Sequence, residues 1–192
     1  MYRYANILKN ATSVNKGYPY KPRKRSTVMA MIKEIVEKME LFIPGLKGYK
    51  QKELLREEDL GVRRKLEEFL NSATHHLREA EQAIAMSGGD PTLFEEKVVQ
   101  RIELLRSWIS SAESGFGGLF DKVNIEEPQL EAILQNDLQM LETAKELSEK
   151  AKELSTTLDT QKIFSAASEL SEIIEKIRSL AEKRKQILLG GE

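Results

Sequence analysis

Residues 114–128 read SGFGGLFDKVNIEEP, and this stretch decides the fold. Three glycines, Gly115, Gly117 and Gly118, interleave with Phe116, Leu119 and Phe120, and Pro128 closes the segment. Glycine weakens a helix wherever it sits and admits backbone conformations closed to other residues. The stretch therefore predicts a stop and a turn between two long helical segments. Its two phenylalanines predict a loop that folds back and plugs the end of a helical bundle.

Working outward, the downstream side predicts a helix from about Glu127. Leu130, Ile133, Leu134, Leu138, Leu141, Ala144, Leu147, Ala151, Leu154 and Leu158 form a near-heptad, coiled-coil-like stripe along it. Ser155, Thr156 and Thr157 mark a break, and Asp159 is placed to cap the helix that follows. That last helix carries Ile163, Ala166, Ala167, Leu170, Ile173, Ile174, Ile177, Leu180, Ala181 and Ile187 on one face. Lys183, Arg184 and Lys185 fall in its final turns, where positive charge complements the helix dipole.

Upstream, a third helix is expected from Pro91 to about Glu113, with Phe94, Val98, Ile102, Leu105, Trp108, Ile109 and Ala112 on its stripe. The turn before it, Ser87-Gly88-Gly89-Asp90-Pro91, has glycines to stop one helix, an aspartate to cap the next and a proline for its first position. A long second helix runs from about Lys50 to Met86 along Leu55, Val62, Leu66, Phe69, Ala73, Leu77, Ala80 and Ile84. Gly61 lies inside it, at a cost of about 1 kcal/mol against alanine, and marks the place for a kink. The first helix starts near Ser26 or Thr27, presents Val28, Met31, Ile32, Ile35, Met39 and Phe42, and ends at Pro44-Gly45.

Two helical hairpins joined by the glycine-rich stretch predict an all-α fold. The expected architecture is an antiparallel four-helix bundle of long helices, with the first helix as an accessory. Residues 1–25 form an irregular basic arm and 26–192 the helical domain. No period of 20–50 residues repeats, which disfavours a solenoid.

Composition agrees. The chain has 192 residues, 40% hydrophobic and 32% charged, which suits one domain rich in packed helix. The absence of cysteine excludes thiol catalysis, thiolate metal sites and disulfides. No apolar run approaches the ~20 residues of a membrane span, and MYRYANILKN lacks the apolar core of a signal peptide, so a cytoplasmic location is expected. The net charge of −1 hides an asymmetry: residues 1–25 hold seven basic residues and no acid, which leaves −8 for the rest.

Candidate chemistry is sparse. His75 and His76 are the only histidines, and as helix neighbours their backbones aim them about 100° apart, which works against one shared metal. Glu57, Glu58 and Asp59, with Arg56, Arg63, Arg64 and Lys65, read as a solvated face of spaced ion pairs. Asp137 interrupts the stripe between Leu134 and Leu141, so it calls for an arginine from a neighbouring helix or a place at the bundle's edge. The glycines of GFGGLF lack the Gly-Lys-Ser/Thr ending of a phosphate loop. The arm is the sharpest signal: Tyr18, Tyr20, Lys21, Arg23, Lys24 and Arg25 combine stacking rings with phosphate-neutralising cations, for nucleic acid or an anionic surface.

Two motifs carry a resemblance. PGLKGYKQKELLREED (44–59) and SGFGGLFD with the downstream Asp137 resemble paired motifs of a family of helical prokaryotic proteins with no known activity, from which Leu46 and Leu55 depart. The resemblance implies a helical fold. It also implies that the two motif loops meet at one end of the bundle, with Tyr49, Lys50, Lys52 and Arg56 near Phe116, Phe120 and Asp121. The reading is of a non-enzymatic helical scaffold for a protein partner or a second copy, using the apolar stripes of the last two helices, with no catalytic residue, metal or cofactor assigned. Nucleic-acid binding through the arm is the alternative.

Overall fold

The computed structural model describes residues 25–46, 52–116, 127–157 and 159–189. Those residues are helical with short turns, and none is in a strand. No helix among them is long and apolar enough to cross a membrane.

Helix α1, Arg25–Glu40, buries Val28, Ile32, Ile35 and Met39, spaced by four, three and four residues as its sequence requires. It ends in a tight turn in which Phe42 and Ile43 N–H groups both donate to the Met39 carbonyl. Gly45 follows at φ 86°, a left-handed backbone angle that glycine takes without strain. Helix α2, Lys52–Met86, runs unbroken through Gly61. The glycine serves a close approach: a β-carbon there would sit 3.3 Å from Ile43 Cγ2. The buried seam of α2 is Val62, Leu66, Leu70, Ala73, Leu77, Ala80 and Ile84. Leu70 takes the core position expected of Phe69, whose half-buried ring instead meets Phe42 edge-on at 6.2 Å between centroids.

Helix α2 stops in a Schellman turn. Gly89 N–H reaches back to the Ile84 carbonyl and Gly88 N–H to Ala85, with Gly88 at φ 79°. Asp90 then accepts the Thr92 N–H at 2.9 Å, and Pro91 stands one place before the helix instead of inside it. Helix α3 (92–116) comprises the turn Thr92–Phe94, a π-helical stretch Glu95–Val99 and Gln100–Phe116. The wider π turn lets the adjacent residues Val98 and Val99 both face the core. α3 also continues through Ser114 and Gly115, about one turn beyond the expected stop. The plug expected of the following loop falls on 117–126, outside the described residues.

Helix α4, Glu127–Ser155, and helix α5, Thr160–Leu188, complete the chain. Asp159 caps α5 as its sequence predicts, its carboxylate accepting the Gln161 and Lys162 N–H groups. Side-chain pairs fix the directions. Arg78 with Glu103 and Ser110 with Glu67 make α2 and α3 antiparallel. Glu153 with Lys162 and Lys150 with Glu169 do the same for α4 and α5. By contrast, Ser72 bonds Ser148 while His76 meets Ser155, so α2 and α4 run parallel, and theirs is the most extensive helix contact. Arg101 bonds Ser171, and α3 and α5 are parallel too. α1 lies against α4.

The leucine stripe of α4 is consumed by this packing. Leu134, Leu141, Ala144, Leu147 and Ala151 are fully buried beside Ile163, Leu170 and Ile177 of α5. Leu141→Ala should therefore cost about 2–5 kcal/mol in urea unfolding, whereas Leu41→Ala, at 84% exposure, should stay within about 0.5 kcal/mol of the parent. Gly88→Ala forces a β-carbon into left-handed backbone and should cost about 1–2 kcal/mol in the same assay.

Candidate functional site

Four charged side chains occupy core positions. Asp59 and Arg63 extend the α2 seam by one turn below Val62 and Leu66, and Asp137 lies between Leu134 and Leu141. Arg184 stands four residues after Leu180 and four before Leu188 on the α5 stripe. All four are buried, Asp137 completely.

Their contacts alternate in sign. Arg184 Nε donates to Asp137 Oδ1 at 2.7 Å and its Nη2 to Asp137 Oδ2 at 3.3 Å. The same Nη2 donates to Asp59 Oδ1. Arg63 Nε lies 2.9 Å from Asp59 Oδ2. Each of the four carboxylate oxygens thus faces a guanidinium nitrogen, and two aspartates balance two arginines. Burial pushes the Asp137 carboxyl above its ordinary range, and the charge and hydrogen bonds of Arg184 pull it back. Next to the network, buried Asn136 donates its amide to the Leu180 carbonyl at 2.9 Å, while its own oxygen has no partner among the described residues. The expected arginine partner for Asp137 is present. Of the expected solvated face, Asp59 and Arg63 instead belong to the core, Arg64 is exposed and Lys65 pairs with Glu68, while the side chains of 56–58 lie outside the described residues.

Trp108 of α3 separates two spaces. Towards the network, it borders a cavity of about 40 Å³ with Leu66, Met140 and Arg184, room for about one water. Towards solvent, it lines a groove of about 520 Å³ between α3 and α5. Leu104, Leu105 and Ile174 make that groove apolar, and Arg101, Arg178 and Glu175 rim it. Leu104 is 69% exposed, unusual for a leucine on an otherwise packed helix. The rim charges are tied to neighbours: Arg101 donates to Ser171 Oγ, and Arg178 pairs with Glu182 at 3.4 Å. Lined in this way, the groove is built for contact with apolar surface and offers no nucleophile held against a base.

Of the residues singled out from sequence, Tyr49, Lys50, Phe120 and Asp121 of the loop cluster lie outside the described residues. Lys52 opens α2 and Phe116 closes α3, and the antiparallel pairing of those helices puts both at one end of the fold; Arg56 lies one turn into α2. Tyr18, Tyr20, Lys21, Arg23 and Lys24 of the arm are likewise outside, and Arg25 begins α1. Among the described residues, a set able to hold a metal is His75, His76 and Glu79. Sequence reasoning missed Arg184 as a core residue because it sits in a basic run that reads as dipole compensation. Its spacing from Leu180 and Leu188 was the available signal.

No protein-family model, no curated protein and no solved structure matches this chain.

Removing one member of the network leaves a buried charge uncompensated. Arg184→Leu should destabilise the protein by about 3–5 kcal/mol. The double variant Asp137→Leu/Arg184→Leu keeps the Asp59–Arg63 pair balanced and should be more stable than Arg184→Leu alone. A double-mutant cycle in urea measures the difference; strictly additive losses would show that the pair is not coupled.

Proposed function

We propose that this chain is a non-enzymatic helical scaffold that binds a protein partner in the groove between α3 and α5. On this reading the four long helices form one bundle of mixed orientation, with α1 as an accessory, and the bundle is a platform for the groove. The observation that carries it is the open seam at Leu104 and Trp108: exposed leucine and half-buried tryptophan facing Ile174 across about 520 Å³. A partner helix laying apolar residues at one-turn intervals would fill such a space. Trp and flanking Arg are the residue types that anchor such contacts.

The stripes of α4 and α5 do not serve as this surface, because the chain's own core takes them up. Self-association through them therefore drops out, and the partner surface moves to α3. The resemblance to helical prokaryotic proteins is compatible with a scaffold and adds no chemistry.

The alternative reading is nucleic-acid binding through the arm, supported by seven basic residues and no acid in positions 1–25. That affinity would fall steeply with salt and vanish on deletion of the arm.

Leu104→Glu places a charge in the groove at an exposed position and should leave stability within about 0.5 kcal/mol. In pull-downs with the full chain, a protein held by the parent should be lost by Leu104→Glu and kept by arm-deleted protein. Retention by Leu104→Glu, or recovery of nucleic acid that depends on the arm, would reject the groove.

A further inference from the structure

At the end of α2 away from the charge network, His75, His76 and Glu79 share one turn, about 25 Å along the helix from Asp59. Adjacent backbone positions do aim the two histidines apart. Glu79 is nonetheless four residues from one and three from the other, and both spacings bring helix side chains together. Its Oε1 lies 3.4 Å from His75 Nε2 and its Oε2 lies 2.9 Å from His76 Nδ1. The rings converge on it, with centroids 5.3 Å apart and planes tilted by 51°. One potential ligand atom from each residue falls in a set no more than 4.8 Å across.

A tetrahedral ion with metal–ligand bonds of about 2.1 Å spaces neighbouring ligands about 3.4 Å apart. The 3.4 Å contact matches that spacing and the 2.9 Å contact is shorter, each made by a different oxygen of the carboxylate. Rotation of His75, whose side chain is 70% exposed, closes the third without disturbing the core. Two features of the surroundings favour a cation. Ser155, the last residue of α4, brings its Oγ to 3.2 Å from His76 Nδ1, so the carbonyl end of α4 and its negative dipole abut the cluster. No arginine or lysine pairs with Glu79 among the described contacts; its ion-pair partners are the two imidazoles.

We propose that His75, His76 and Glu79 bind a divalent transition ion of the zinc class, with solvent in the remaining coordination position. Two imidazole nitrogens and one carboxylate oxygen suit zinc and its neighbours, whereas calcium and magnesium select all-oxygen sites. Ser155 Oγ, 3.2 Å from His76 Nδ1, already donates to the Lys152 carbonyl at 3.0 Å. Imidazole ligates a metal ion only in its neutral form, so acidification weakens binding. The site is independent of the α3–α5 groove.

Isothermal titration calorimetry of the full, untagged chain with zinc chloride tests this. A single ion per chain is expected at neutral pH, with no competition from excess magnesium or calcium. Glu79→Gln should weaken binding by about tenfold or more, and His75→Ala/His76→Ala should abolish it. Cobalt(II) substitution gives a second readout, through visible absorption bands of a four-coordinate nitrogen–oxygen site that the double variant lacks. His75 and Glu79 are exposed and His76 is only partly buried, so circular dichroism should report unchanged helix content in the variants. No zinc binding by the parent, or the same affinity and cobalt spectrum in the double variant, would overturn the site.

Discussion

Arg184 holds two carboxylates, from two parallel helices, that would otherwise repel each other across a buried seam. Asp59 and Asp137 occupy corresponding levels of α2 and α4, and the guanidinium of α5 reaches both. A charge in the interior is tolerated only when its partner is at the right height. Sliding any of these helices by one turn, about 5.4 Å, would strip an aspartate of its arginine and bury it alone. Leucines along the same seam would tolerate the slip far better, since one apolar contact resembles the next. The ionic chain therefore specifies register where the hydrophobic stripe only supplies attraction.

That register has consequences further along the helices. With α2 and α4 locked side by side and parallel, the antiparallel hairpin partners α3 and α5 also end up parallel to each other. Around the fold, α2 packs mainly on α4 and also on α3, and α5 on α4 and α3, so among the described residues the chain neighbours α3 and α4 are not a main packing pair. α2 and α4 bury the small residues Ala73, Ala80, Ala144 and Ala151. The α3–α5 seam carries Trp108, Arg101 and Arg178 instead. The groove lies along that seam. The same parallel register places the carbonyl end of α4 beside His76, so both candidate binding features follow from one packing choice.

Much of the helix layout was legible because local rules dominate it. Asp159 is a capping residue before an apolar stripe, and the structure uses it as one. Gly88 and Gly89 end α2 because a left-handed residue terminates a helix cheaply only when it is glycine. Gly115 misled in a small way: one glycine costs a helix about 1 kcal/mol, which packing can absorb, and α3 continues past it. Asp137 announced a buried partner because a carboxylate amid leucines has no other stable explanation. Asp59 and Arg63 did not, because in sequence they stand within a run of charges and only the approach of α5 removes them from water.

Sequence by itself determined that this chain is helical, where its helices begin and end to within about a turn, and which face of each is apolar. Those properties depend on residues three and four apart, and the sequence states them directly. The tertiary structure alone decided that α4 lies beside α2 and not beside α3, that Arg184 faces inward, that a groove opens at Leu104, and that Glu79 gathers both histidines with Ser155 alongside. Each of these depends on residues tens of positions apart meeting in space, and their meeting is set by the packing of whole helices.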